Sequence, residues 1–278
     1  MKKVKKIHRL YICIAICTAL FLSSCAPKED DTTNDINAPA IPPLSTFKID
    51  FDQFPSSGSI PKPANSGVDA RAIVLSNHTQ AAAQILVWQT LLTVGLFVPV
   101  AAFAESFNHT PTLRADGTFI WSYSVANHTA ELQAQINGAD VNWEMYLSKS
   151  GEYEDFNWYS GVSKLDGSSG TWTLRKSPTD PVDLLGIEWH RDVLNDTADI
   201  TYTNIEPGGA ENGGYIVYGK TTDTTYNAFY DIYYKSQDNL VEIEWHLENH
   251  NGRIKNEAVY NDTDWHYWDE NLDDTTAP

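Results

Sequence analysis

Large apolar residues occupy every second position in several runs of the chain, among them 119–125, 141–147 and 241–247. Strict alternation of this kind is typical of β-strands that bury one face and expose the other. Turn signals such as Asn137-Gly138 and Asn251-Gly252 separate the runs,. Because the connections are short, neighbouring strands should be antiparallel, and we predict about ten to twelve of them.

A different pattern precedes the strands. Residues 72–104 contain no charged side chain, and the few polar residues within 80–103 line no single face. A helix that is apolar nearly all round is buried either in protein or in a membrane. We predict a helix over 70–106 that Pro99 kinks or ends near Phe97. We interpret 80–103 as a buried core helix, with a membrane span as the alternative.

These elements predict a mainly β fold. The expected architecture is a meandering antiparallel sheet, strongly curved or barrel-like, packed on the N-terminal apolar helix. Residues 67–278 should form a single folded domain, with the helix over 70–106, a β-rich part over 116–268 and an acidic tail over 269–278. Trp88 lies in the middle of the helix and should be buried.

The segment 25–66 contains seven prolines and few large apolar residues. Proline keeps a chain extended, and a segment of this composition buries little apolar surface. We therefore predict a disordered tether over 25–66.

The first 24 residues have the pattern of a signal peptide, with five basic residues before an apolar run over 10–22,. The next residues, Ser23-Ser24-Cys25, complete a sequence that resembles the lipobox of bacterial lipoproteins. The acidic stretch over 26–31 resembles the export tag of Bacteroidetes-type surface lipoproteins. The resemblance implies cleavage before Cys25, acylation of Cys25, and a lipid-anchored protein of the outer membrane, exported to the cell surface. It brings no activity with it.

Charge and cysteine content narrow the function classes. The whole chain carries a net charge of −18, and no basic patch follows the signal peptide, which argues against nucleic acid as a partner. Once the signal peptide is removed, Cys25 is the only cysteine. Disulfide bonds and thiolate catalysis are thereby excluded from the mature chain.

One internal repeat is a candidate for chemistry. Residues 183–190 match residues 239–246, and each copy ends in Glu-Trp-His. On a strand, Trp189 and Trp245 would point inward, and the flanking acidic and imidazole side chains would share the other face. That face could bind a divalent metal or perform acid–base catalysis. The alternative is duplicated hairpin packing with these polar side chains in solvent. The candidates are Glu188, His190, Glu244 and His246.

The aromatic tail is a second candidate. Trp265, His266 and Trp268 lie among acidic residues and could stack on a sugar or line a pocket. The alternative is a last edge strand with a solvated acidic end. Nucleophile, phosphate-loop and dinucleotide motifs are absent from the sequence, so we predict no catalytic residue and no cofactor.

The sequence therefore favours a binding or envelope-structural module. It would be attached to the membrane through the lipid at Cys25 and would recognise an apolar ligand, a glycan or another envelope protein. The alternative is a lipid-anchored hydrolase that uses the Glu/His face.

Overall fold

The computed structural model describes residues 37–55 and 75–277, so the predicted signal peptide, Cys25 and the predicted export tag lie outside the described residues. The fold is one antiparallel sheet of 14 strands, in which each strand pairs with the next along the chain. The strands are β1 Thr112–Leu113, β2 Phe119–Val125, β3 His128–Asn137, β4 Asp140–Lys149, β5 Tyr153–Lys164, β6 Ser169–Ser177, β7 Asp180–Asp192, β8 Thr197–Asn204, β9 Tyr215–Lys220, β10 Ala228–Tyr234, β11 Asn239–Trp245, β12 Gly252–Asn256, β13 His266–Trp268 and β14 Asp274–Thr275.

The predicted mainly β, antiparallel meander is confirmed, but two finer expectations are wrong. The sheet has 14 strands instead of ten to twelve, because β1, β13 and β14 have only two or three residues and are too short to show alternation. The sheet is also open and not strongly curled, since β1 and β14 end the strand order without pairing with each other over the described residues. The barrel-like expectation is therefore corrected.

The apolar segment forms two helices where we predicted one over 70–106. They are α1 Asn77–Gly95 and α2 Phe97–Ser106, bent by 70° relative to each other, and a third short helix is α3 Glu257–Tyr260. The break has a local cause: Pro99 lacks an N–H, and its ring would collide with the carbonyl of Gly95 in a continuous helix. The predicted end of the helix near Phe97 is thus confirmed.

The helices are only partly buried. One stripe of α1 enters the core, and Trp88 is 7% exposed, as predicted. Other apolar side chains of the pair face outward, with Leu91 60% and Phe97 71% exposed. No single helix among the described residues is long and apolar enough to cross a membrane, although α1 and α2 together meet that test by length and composition.

A second segment, residues 38–55, packs on the sheet together with the helices. Phe47 is fully buried, and Ile49 and Phe54 are also buried in the main core. The backbone N–H of Ile49 donates to Oη of Tyr202 at 3.0 Å, and Nε1 of Trp245 donates to the carbonyl of Gln53 at 3.2 Å.

The predicted tether is therefore wrong for residues 38–55, and the folded unit begins at Ala38 instead of 67. The segment is not uniformly extended, since it contains two short 3-10 helices, Leu44–Thr46 and Phe51–Gln53, and its apolar side chains pack on the sheet. The expectation that a single N-terminal helix covers the sheet is also wrong, because residues 38–55 pack on the sheet as well.

Aromatic side chains fill the core face of the sheet, and three of its tryptophans each cover a glycine on the adjacent strand. The cross-strand pairs are Gly161 with Trp172, Gly170 with Trp189 and Gly252 with Trp268. Each indole lies where the side chain of the facing residue would otherwise be. Glycine at these positions lets large rings lie flat on the sheet.

Candidate functional site

A large, mainly apolar concavity lies between α1 and one end of the sheet, and we call it the α1 cavity. Its volume is about 690 Å³, within the range of about 300–1,000 Å³ that is usual for small-molecule sites. The helix contributes Trp88, Leu92 and Leu96, and β7 contributes Leu184 and Leu185. The wall is thus formed by apolar side chains held on regular elements.

The sequence of α1 explains why the cavity exists. The helix has no polar face, so the side chains that do not enter the core remain as an apolar surface beside the sheet,. Gly95 lies at the cavity wall, and a Cβ added to it would meet no atom within 4 Å. A larger side chain at Gly95 would therefore have room at the cavity wall.

The polar groups of the cavity come mainly from the sheet side. They are Asn204 at the end of β8, Glu211 in the following loop and Tyr234 at the end of β10. Oη of Tyr234 donates to Oε1 of Gln84 at 2.9 Å, which ties the helix to the sheet. Burial, together with the negative charge of Glu211, raises the pKa of Tyr234 to about 12. Tyr234 is therefore a neutral hydroxyl at physiological pH.

Thr90 is the remaining hydroxyl at the wall, and it is satisfied within the helix because Oγ1 donates to the carbonyl of Leu86 at 2.8 Å. Glu211 is the only charged residue that lines the cavity within the described part of the chain. The site is thus an apolar chamber with one acidic corner.

The structure places the glutamate and histidine side chains of the internal repeat on the side of the sheet opposite the core. Trp189 and Trp245 are buried, as their alternation predicted. Nδ1 of His190 lies 3.0 Å from Oδ2 of Asp199, and Nε2 of the same ring lies 3.7 Å from Glu188. His190 is therefore held between two exposed carboxylates.

The second copy of the repeat makes different contacts. Nε of Arg253 donates to Oε2 of Glu244 at 2.7 Å. Nδ1 of His246 accepts hydrogen bonds from the backbone N–H groups of Glu248 and Asn249, which closes the turn after β11. His246 thus has a local structural role.

Register shows how far apart the two copies lie. Cross-strand pairing links His190 to Asp199, Asp199 to Gly219, Gly219 to Phe229, and Phe229 to Glu244. The two ends of this row are four strand spacings apart, or about 19 Å. The Glu/His pairs therefore share a face but do not meet in one site.

The aromatic tail residues also separate. Trp268 is only 1% exposed, and its Nε1 donates to the carbonyl of His250 at 2.8 Å, so this ligand-face candidate is a core residue. Trp265 is half-buried beneath the Arg253 guanidinium, which lies 4.1 Å from the ring centroid. His266 stacks on Tyr260 and contacts Oδ1 of Asp262 at 3.0 Å.

Metal binding finds no support in the described ranges, 37–55 and 75–277. Across them, no group of three or more histidine, cysteine or acidic residues is arranged to hold a metal ion. The two Glu/His pairs are also too far apart to act together as one acid–base site.

Comparison of the chain with protein-family models, with curated proteins and with solved structures found no match. The site must therefore be interpreted from its own geometry. Sequence reasoning missed the α1 cavity, because its walls come from segments more than 80 residues apart in the chain. The one sequence signal for the cavity was that the helix is apolar on every side, whereas packing against the core can bury only one side of it.

Proposed function

We propose that this protein is a lipid-anchored, surface-displayed outer-membrane lipoprotein whose folded unit binds a ligand with an apolar chain in the α1 cavity. The anchor and the export are supported by the lipobox-like sequence at Cys25 and the acidic stretch behind it. The binding function is supported by one observation, which is a large concavity with an almost entirely apolar wall.

The physics of the cavity favours an alkyl or acyl chain. Each methylene group removed from water contributes about 0.8 kcal/mol. A chain of about ten buried methylenes would gain about 8 kcal/mol, and the loss of translational and rotational freedom offsets a large part of it. Binding also covers Leu91 and Val87, which are otherwise exposed apolar side chains at the cavity wall.

The hydrolase alternative has weaker support, because the concavity of about 590 Å³ on the outer sheet face is lined by only one of its four candidate residues, His190. Its four candidate residues divide into two places on the outer sheet face, and each pair is engaged in local contacts. A binding module is therefore the function that the geometry supports best.

A cavity-filling substitution tests the proposal. Purified protein is titrated with Nile red, a neutral dye that fluoresces in apolar surroundings, and the dye is then displaced with 1-decanol. Gly95→Leu adds an apolar side chain at the cavity wall, where there is room for it, and should weaken binding of both probes by at least tenfold. The substitution replaces a helical glycine, so the melting temperature should not fall.

Thr93→Leu is the matched control. Thr93 is exposed on the same helix and does not line the cavity, so this variant adds the same apolar side chain elsewhere. Its affinities should equal those of the wild type. If Gly95→Leu bound Nile red and decanol as tightly as the wild type, the α1 cavity would not be the binding site.

A further inference from the structure

We infer that the α1 cavity selects a single-chain amphiphile whose head group is a primary amine. This inference rests on the proposed function and specifies its ligand class. It is carried by the polar corner of the cavity, where Glu211, Tyr234 and Asn204 come together beside an otherwise apolar wall.

Glu211 is the dominant group in this corner. Among the residues that the structure describes, no side chain forms a hydrogen bond or an ion pair with its carboxylate. An ionised carboxylate only accepts hydrogen bonds. Its neighbour in the loop, Glu206, is by contrast paired with Lys176. The negative charge at the cavity is therefore left for a ligand to neutralise.

Tyr234 adds a second acceptor. Its hydroxyl proton is engaged with Gln84, so the lone pairs of Oη are what it presents to a ligand. A Cβ added to Gly214, another residue of the cavity wall, would lie 3.1 Å from Oε2 of Glu211 and 3.2 Å from the carbonyl oxygen of Tyr233, so the carboxylate lies beside the strand end that carries Tyr234. A group that donates several hydrogen bonds and carries positive charge would satisfy both residues at once.

Asn204 supplies the one donor of the corner. Its Oδ1 accepts from the backbone N–H of Glu206 at 2.9 Å, so the side-chain NH₂ remains for other partners. A neutral amide cannot compensate the repulsion between Glu211 and an anionic head group. The affinity of the cavity should therefore fall from an ammonium head group to a hydroxyl and then to a carboxylate.

Three probes with ten carbon atoms each test this ranking. Decylamine, 1-decanol and decanoate are compared by Nile red displacement at pH 7 and below their micelle concentrations. We expect decylamine to bind at least tenfold tighter than decanol, and decanol at least tenfold tighter than decanoate. A tenfold difference corresponds to about 1.4 kcal/mol of binding free energy.

Glu211→Gln keeps the shape of the corner and removes its charge. It should weaken decylamine binding about tenfold, leave decanol unchanged and strengthen decanoate. Glu206→Gln is the control, because it removes a negative charge from the same loop outside the cavity wall. An equal loss of decylamine affinity in both variants would overturn the inference, since it would show non-specific attraction to a chain of net charge −18.

The outcomes separate the two proposals. If the three probes displaced Nile red equally, or if decanoate bound most tightly, the amine selectivity would be wrong and the apolar binding site would stand. If none of the three displaced the dye, the proposed function itself would fail.

Discussion

Asp231 is a residue whose surroundings change its chemistry strongly. It lies on the outer face of β10, directly opposite Glu242 on β11. Burial of the carboxyl, together with the negative charges of Glu242 and Glu244, raises its pKa to about 6. Like charges placed opposite each other in a sheet are destabilising, and protonation of Asp231 relieves that repulsion.

The sign of the pH dependence follows from this shift. Because the folded state holds the Asp231 proton more tightly than the unfolded state does, the stabilisation is complete below the unfolded pKa of about 4 and is lost as the pH rises through about 6. Asp231→Asn should therefore raise the free energy of unfolding at pH 8 by about 1–2 kcal/mol, after allowance for solvent screening. At pH 4 the variant should show little gain.

Urea denaturation at the two pH values measures this difference. The control is Glu154→Gln, which neutralises an exposed carboxylate on β5 and should shift stability by less than about 0.5 kcal/mol at either pH. A gain for Asp231→Asn that was the same at pH 4 and pH 8 would contradict the assignment.

At the scale of elements, the sheet depends on tryptophans that lie over glycines of adjacent strands. Gly170 on β6 faces Trp189 on β7. A Cβ added to Gly170 would lie 2.7 Å from Cζ2 of Trp189 and 2.7 Å from the carbonyl oxygen of Val162. Neither neighbour can move freely, because the indole is buried and the carbonyl belongs to the backbone.

Gly170→Ala should therefore lower the free energy of unfolding by about 1–3 kcal/mol, the usual cost of overpacking a core. Gly186 on β7 provides the matched control, since a Cβ there would meet nothing closer than 3.7 Å, a carbon of Ile205. Gly186→Ala should be neutral or slightly stabilising. Denaturant unfolding of the two variants compares them directly, and equal stabilities would show that the indole adapts without cost.

At the scale of the whole molecule, the proposed anchor and the folded unit are separate features of the chain. Cys25 precedes the first residue of the folded unit, Ala38, by 13 positions. Several acyl chains on one residue hold a protein firmly, because each buried methylene adds about 0.8 kcal/mol. Attachment should then depend on Cys25 and not on the apolar helices.

Cys25→Ala should release the protein from the membrane fraction and abolish incorporation of labelled fatty acid. Cys17→Ala is the control, because Cys17 lies in the proposed signal peptide, and its substitution should change neither measurement. Fractionation after a high-salt wash provides the measurement. Retention of Cys25→Ala in the membrane would identify α1 and α2 as the anchor, and both the lipobox interpretation and the core assignment of the helices would be wrong.

The strands themselves could be predicted from the sequence with good success. Period-two alternation depends on local geometry, so the inward positions of Trp189 and Trp245 followed directly from their neighbours,. Pro99 marked the end of α1 for an equally local reason,. Composition was a poorer guide: proline content indicated a tether, although Phe47 and Ile49 lie in the core.

The sequence by itself determined the strand pattern, the apolar helical segment and the lipoprotein-like N-terminus, because each depends on residues that are neighbours in the chain. Only the tertiary structure decided which residues meet. Register across β7 to β11 separated the two Glu/His pairs, and the packing of α1 against strand ends far along the chain formed the cavity with Glu211 at its wall. Such contacts depend on strand register and burial across the whole sheet, which no local sequence pattern specifies.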